Sequence, residues 1–186
     1  MNKFLQWQNQ DKSGKNRILA LVIGALIFPI SIPVLLIVVL PRLDQSFGLG
    51  PLLHGPGNII IGVLLILLGG IVAIWTIAIQ ITRASGTPFP MLPTKKLLIS
   101  GPFKYCRNPM TLGTITAYAG IAILIGSFAA LLAVAILAAL LIGYLKLIEE
   151  KELQLRFGSD YIEYKKKTPF ILPIRIGKTD IKGQEE

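Results

Sequence analysis

Of 186 residues, 53% are hydrophobic and only 16% charged, with a mean hydropathy of +0.65, whereas soluble domains carry about 25% charged residues, so a water-soluble globular chain is excluded. The formal charge of +9 does not point to nucleic acid, because the cations flank apolar runs instead of forming one stripe interleaved with aromatics; attraction to anionic lipid accounts for them. A single cysteine, Cys106, excludes an internal disulfide framework, and the single histidine, His54, has no neighbouring ligand with which to hold a metal.

A helix crosses the bilayer with roughly 20 apolar residues, and three runs reach that length. The first is Ile18 to Leu40. Lys3, Lys12, Lys15 and Arg17 precede it, but its apolar stretch is too long for a secretory signal and no A-x-A-like site follows, so it reads as a retained helix. Pro29 and Pro33 are expected to kink it, with neighbours satisfying the freed carbonyls. The second span runs from Asn58 to Ile81, and residues 82–109 form a connection long enough to suggest a functional loop. The third run, Met110 to Ile148, has no charge before Lys146 and is about twice one span, so it reads as a hairpin turning at Gly126 and Ser127.

The tail, 149–186, opens with acids. Gly158 is a helix stop, Asp160 and Glu163 resemble a capping box, and Pro169 ends the second short helix. Tyr161, Tyr164 and lysines 165 to 167 form either an interfacial anchor or a lid folded back over a site. The chain is therefore expected to be all-α: a polytopic membrane protein in one domain, with about four transmembrane helices, a C-terminal helical hairpin and cytoplasmic tail helices. The cations cluster in the N-terminal arm, the second connection and the tail, so the positive-inside rule puts both termini and that connection in the cytoplasm.

Two stretches then meet. GPFKYCRNPMTLG occupies 101–113 and IEEKEL begins at Ile148. With the turn at Gly126 and Ser127, Asn108 lies roughly 28 Å and Glu149 roughly 34 Å from it, at about 1.5 Å per residue, so both reach the same membrane face. Arg107 can there face Glu149 or Glu150, where partial desolvation strengthens the contact. Acids at a helix C-terminus oppose the macrodipole unless a cation compensates.

GPFKYCRNPMTLG paired with EEKELQLRFGSDYIEYKKKTPFILP resembles the membrane methyltransferases of the isoprenylcysteine carboxyl methyltransferase and phospholipid methyltransferase superfamily, over about residues 95 to 173. The resemblance implies S-adenosyl-L-methionine bound at the cytoplasmic helix ends. Lys95, Lys96, Leu97 and Leu98 would border it, with Phe103 as the aromatic ring, Arg107 beside the corner, Asn108, Pro109, Met110 and Thr111 at the H-P-x-Y positions, and Glu149 with Glu150 as the paired acids. The donor's chemistry agrees: a carboxylate suits its α-ammonium, aromatic surface its adenine, and helix-start amides its carboxylate. Asn108 replaces the family histidine, Thr111 the tyrosine, and Leu145 stands where prenylcysteine enzymes have arginine.

The implied activity is methyl transfer to a lipophilic acceptor arriving from the bilayer: a prenylcysteine-like carboxylate, an aminolipid or another amphiphile. Direct displacement needs alignment and exclusion of water, and no catalytic residue is assigned. A sterol-reductase-like enzyme using NADPH and a non-catalytic module on the same scaffold are the alternatives.

Overall fold

The computed structural model describes residues 26–52, 55–83 and 97–173. The start of the first apolar run, His54, Lys95, Lys96 and the end of the tail lie outside the described residues. Every regular element described is helical. Helix α1 runs Ile27–Ser46 and α2 Gly57–Arg83. A 3₁₀ turn, Gly101–Lys104, precedes α3, Pro109–Ile125, and α4, Phe128–Tyr144, continues through a π-helical turn at Leu145–Glu149 into α5, Glu150–Lys167. The helices Ile27–Ser46, Gly57–Thr82 and Phe128–Lys167 are long and apolar enough to cross a membrane; α3, at 17 residues, is the shorter apolar helix. The chain is a polytopic, all-helical membrane protein.

The first helix runs beyond its expected end, and a neighbouring side chain satisfies a carbonyl freed by proline, as expected. It continues past Leu40 to Ser46, because Pro41 falls in the first turn of its last α-helical segment, where no N–H is required. Pro29 and Pro33 are accommodated by π-helical turns at Ile27–Ser31 and Leu35–Val39. In the first turn, Ile32 N–H reaches the Ile27 carbonyl, so the Phe28 carbonyl would pair with residue 33, which is proline and has no N–H. The Tyr118 hydroxyl of α3 donates to Phe28 instead, and the Ser31 hydroxyl donates to Leu26 O at 2.9 Å. In hydrocarbon no water can do this, so neighbouring side chains must.

Helices α2 and α3 run antiparallel and pack backbone to backbone. Gly62 and Gly69 on α2 oppose Gly120 and Gly113 on α3: a Cβ on Gly113 would lie 2.6 Å from Gly69 O, and one on Gly120 2.7 Å from Gly62 O. Such closeness is the source of helix association in lipid, where burying apolar surface yields no hydrophobic gain. The other side of α3 packs on α1 and α4 around Leu36, Tyr118, Ala122, Ala130 and Val134. Large apolar side chains on the outer faces, such as Ile71, Ile74, Leu132 and Leu140, are exposed to lipid.

Between α3 and α4, Gly126 adopts a left-handed conformation (φ 67°) and Ser127 caps α4, its Oγ accepting Ala130 N–H at 3.0 Å. The buried Asp44 carboxylate, from the end of α1, accepts Ala129 N–H at 2.9 Å and the Ser127 hydroxyl. A carboxylate at a helix N-terminus satisfies orphan amides and complements the dipole, so this contact holds α1 to the turn. As the sequence suggests, the helix is interrupted at Gly158, where the backbone leaves helical geometry (φ 53°, ψ −125°) and kinks, and a second helical segment runs on to Lys167.

Candidate functional site

At the end of the molecule opposite that turn, the loop preceding α3, the start of α3 and the α4–α5 junction enclose a cavity of about 190 Å³. The loop is held by its own sequence: Gly101 has φ +62°, and a Cβ there would collide with the Ile79 side chain of α2. Pro102 and Phe103 are buried, and so is Cys106, whose thiol is pushed up by burial and behaves as packing. Pro109 occupies the first turn of α3, where its missing N–H leaves nothing unsatisfied. Asn108 precedes it but does not cap the helix; its amide donates to Phe170 O at 2.9 Å. The first-turn amides of α3 therefore have no side-chain cap, and Met110 and Thr111 form part of the cavity wall.

Of the residues expected at the site, Leu97, Leu98, Phe103, Arg107, Asn108, Pro109, Met110, Thr111, Glu149 and Glu150 all line this one cavity. The two glutamates differ in their surroundings. Glu150 is buried and both its oxygens are engaged, Oε1 by Arg107 and Oε2 by Lys165 Nζ at 2.6 Å. Glu149 has no ion-pair partner among the described residues. It lies just past the apolar run, and burial first, then the charges of Glu152 and Glu150, raise its carboxyl to about 7.

The tail folds back over the cavity, which decides between anchor and lid for this segment. Tyr161 and Tyr164 are buried, the Tyr164 hydroxyl donates to Phe103 O at 2.7 Å, and Arg107 N–H donates to Pro169 O at 2.9 Å. The Phe170 ring stacks under two cations, Arg107 at 5.4 Å and Lys146 at 5.0 Å. Burial, followed by the charge of Glu150, pushes the Tyr161 hydroxyl up to about 12, and burial raises Tyr164 as well. At neutral pH both are therefore hydrogen-bond donors and not bases.

Several lining residues escaped the sequence reading. Thr114 follows Thr111 by three residues, and Glu152 and Arg156 follow Glu149 by three and seven, so a helical projection of each motif finds them. Gln80 had a signal too, as a polar amide one residue before the end of the second span. Phe28, Leu141 and Tyr144 had none.

An all-helical membrane protein with a mostly apolar cavity at one end of its helices, lined by an unpaired carboxylate, by residues of the uncapped start of α3 and by aromatic rings, has the features of an integral membrane enzyme for an amphiphilic substrate. The chain belongs to the phospholipid methyltransferase family, whose model matches residues 58–160, more than half of its length. No curated protein and no solved structure matches it. It is thus a membrane methyltransferase for lipophilic substrates. The matched segment contains α2 to α4 and Glu149, whereas Tyr161, Tyr164 and the Phe170 contacts lie beyond it.

Proposed function

We propose that the protein transfers a methyl group from S-adenosylmethionine to a lipophilic acceptor that enters the cavity from the inner leaflet. The observation that carries this reading is the unpaired, half-buried Glu149 carboxylate in a cavity that the uncapped start of α3 and the apolar side chains Leu97, Leu98 and Phe103 also line. The residues fit the donor group by group. Glu149 suits its α-ammonium, the first-turn amides of Met110 and Thr111 its carboxylate, and Leu97, Leu98 and Phe103 its purine. When bound, the donor supplies an electrophilic methyl carbon on a sulfonium.

The chain's own residues align and enclose. The Arg107–Glu150–Lys165 cluster fixes the α3 corner against α5, and Tyr164, itself a lining residue, ties α5 to the Phe103 carbonyl. Leu141 and Leu145 continue the wall into the span; Leu141 is about 12 Å below Glu149 at 1.5 Å per residue, a depth suited to an acyl or prenyl chain. Glu149, Glu150 and Glu152 line the cavity together with Arg107 and Arg156. An amine acceptor must lose its proton before attack, whereas a carboxylate acceptor needs no base.

A cytoplasmic placement of the site is supported by Arg83, Lys104, Arg107, Lys146, Lys151 and lysines 165 to 167, which are all carried by the helix ends and loops around the cavity, while at the opposite end Arg42, in the last segment of α1, is the cation among the described residues. The test is thermal denaturation of the purified chain with each donor. S-adenosylmethionine is expected to raise the midpoint and NADPH to leave it unchanged. A rise with NADPH alone would favour a reductase, and no rise with either a non-catalytic module.

A further inference from the structure

Gln80, three residues before the end of α2, is a polar side chain of the cavity wall that the preceding reading does not use. Its Oε1 has less than 1 Å² exposed and no hydrogen-bond partner among the described residues. The hydroxyls nearest it on the same helix are satisfied locally: Thr76 donates to Val72 O and Thr82 to Ala78 O, each at 2.7 Å. A buried amide oxygen left unpaired costs folding free energy that an apolar side chain of equal size would avoid, and a ligand donor reaching it from the cavity would offset that cost; Asn58 Oδ1 and Arg107 Nε are also unpaired, but Asn58 does not line the cavity.

The position of Gln80 limits which ligand group this is. The Gly101–Lys104 turn packs on α2 at Trp75 and Ile79, so Gln80 follows directly on the residue that meets this turn, and it lines the cavity together with Phe103, Leu97 and Leu98. An ammonium headgroup would seek the acids, which stand on the α4–α5 junction. Beside Phe103, Leu97 and Leu98 the suitable guest is an uncharged flat ring with a polar edge. A carboxamide presents one acceptor and one donor in a plane, the pattern complementary to the 6-amino group and adjacent ring nitrogen of adenine. Either orientation of the amide can be selected on binding, since its two ends exchange by a simple flip.

We propose that Gln80 reads the adenine of the methyl donor, setting the base specificity of the site; this rests on the assignment of S-adenosylmethionine above. The probes are S-adenosylhomocysteine and its 6-desamino purine analogue, titrated into the full chain in detergent. The wild-type protein is expected to bind the adenine form roughly ten- to a hundred-fold more tightly. Gln80→Met should bring the two affinities within about threefold of each other, while its unliganded thermal midpoint stays at or above the wild-type value, since no buried acceptor is then left unpaired. Gln80→Asn, whose amide sits one methylene short, is read on the same ratio and serves if the methionine variant does not fold.

A wild-type ratio near one, or variants that keep the wild-type ratio, overturn the inference while leaving the donor assignment standing. Failure of the wild-type protein to bind either probe overturns both.

Discussion

Glu149→Gln removes one charge while keeping the side chain's shape and length. In the wild-type protein burial, Glu152 and Glu150 hold this carboxyl near 7, so about half of it is ionised at about pH 7 and about 3% at about pH 5.5. If the ionised form is what holds an α-ammonium, affinity falls by about 15-fold as pH drops across that window, in which carboxyls of ordinary pKa remain ionised. The variant should bind on the order of ten- to a hundred-fold more weakly at about pH 7, through loss of a charge-assisted contact, with little change down to about pH 5.5. Titration calorimetry with S-adenosylhomocysteine, whose ammonium stays charged throughout, reads both quantities. A variant affinity equal to wild type, or a wild-type affinity indifferent to pH, would refute the role given to Glu149.

The same carboxyl is predicted to lower stability in the unliganded protein. Its folded pKa of about 7 lies above the ordinary 4.5, so the folded state binds more protons between these values and stability falls as pH rises through the window. Glu149→Gln should accordingly raise the thermal midpoint above pH 7, the gain closing toward pH 4.5. Glu150→Gln should do the reverse, because it leaves Arg107 buried with half its partner gone, a loss of about 3 kcal/mol or more in the folded yield or midpoint. Gly69→Leu is expected to abolish folded protein by driving α2 off Gly113 and Ala117, whereas Gly70→Ala, with open space around it, should be silent in size-exclusion and thermal assays. Tyr118→Phe should cost about 1–3 kcal/mol by orphaning the Phe28 carbonyl. Adding Pro33→Ala should recover part of that loss by restoring a backbone N–H; purely additive midpoints would contradict this account.

The sequence carried the coarse architecture where apolar length and glycine placement decide it. Gly126 with Ser127 is readable as a turn because one residue accepts a left-handed backbone and the other caps a helix. That the Arg107 corner and the paired acids approach each other follows from helix rise alone. Which acid pairs with Arg107 does not, because the π-helical turn at Leu145–Glu149 shifts the register by one residue, and adjacent residues on a helix differ by about 100° in direction. The choice of Glu150 was therefore invisible. So were Asp44, whose carboxylate travels 85 positions in sequence to reach Ala129, and Tyr118, whose partner exists only because a proline five residues beyond Phe28 withholds a donor. Long-range polar contacts leave no periodicity to read. The break at Gly158 was legible, because glycine is the residue that readily accepts the positive φ at which the helix kinks.

Incubating the purified chain with methyl-labelled S-adenosylmethionine and a total membrane lipid extract tests the central claim most directly. The account predicts label in the organic phase that grows with protein, saturates with donor, is suppressed by S-adenosylhomocysteine and is strongly reduced in Glu149→Gln. Donor binding without any protein-dependent label in lipid, or equal labelling by the variant, would contradict it.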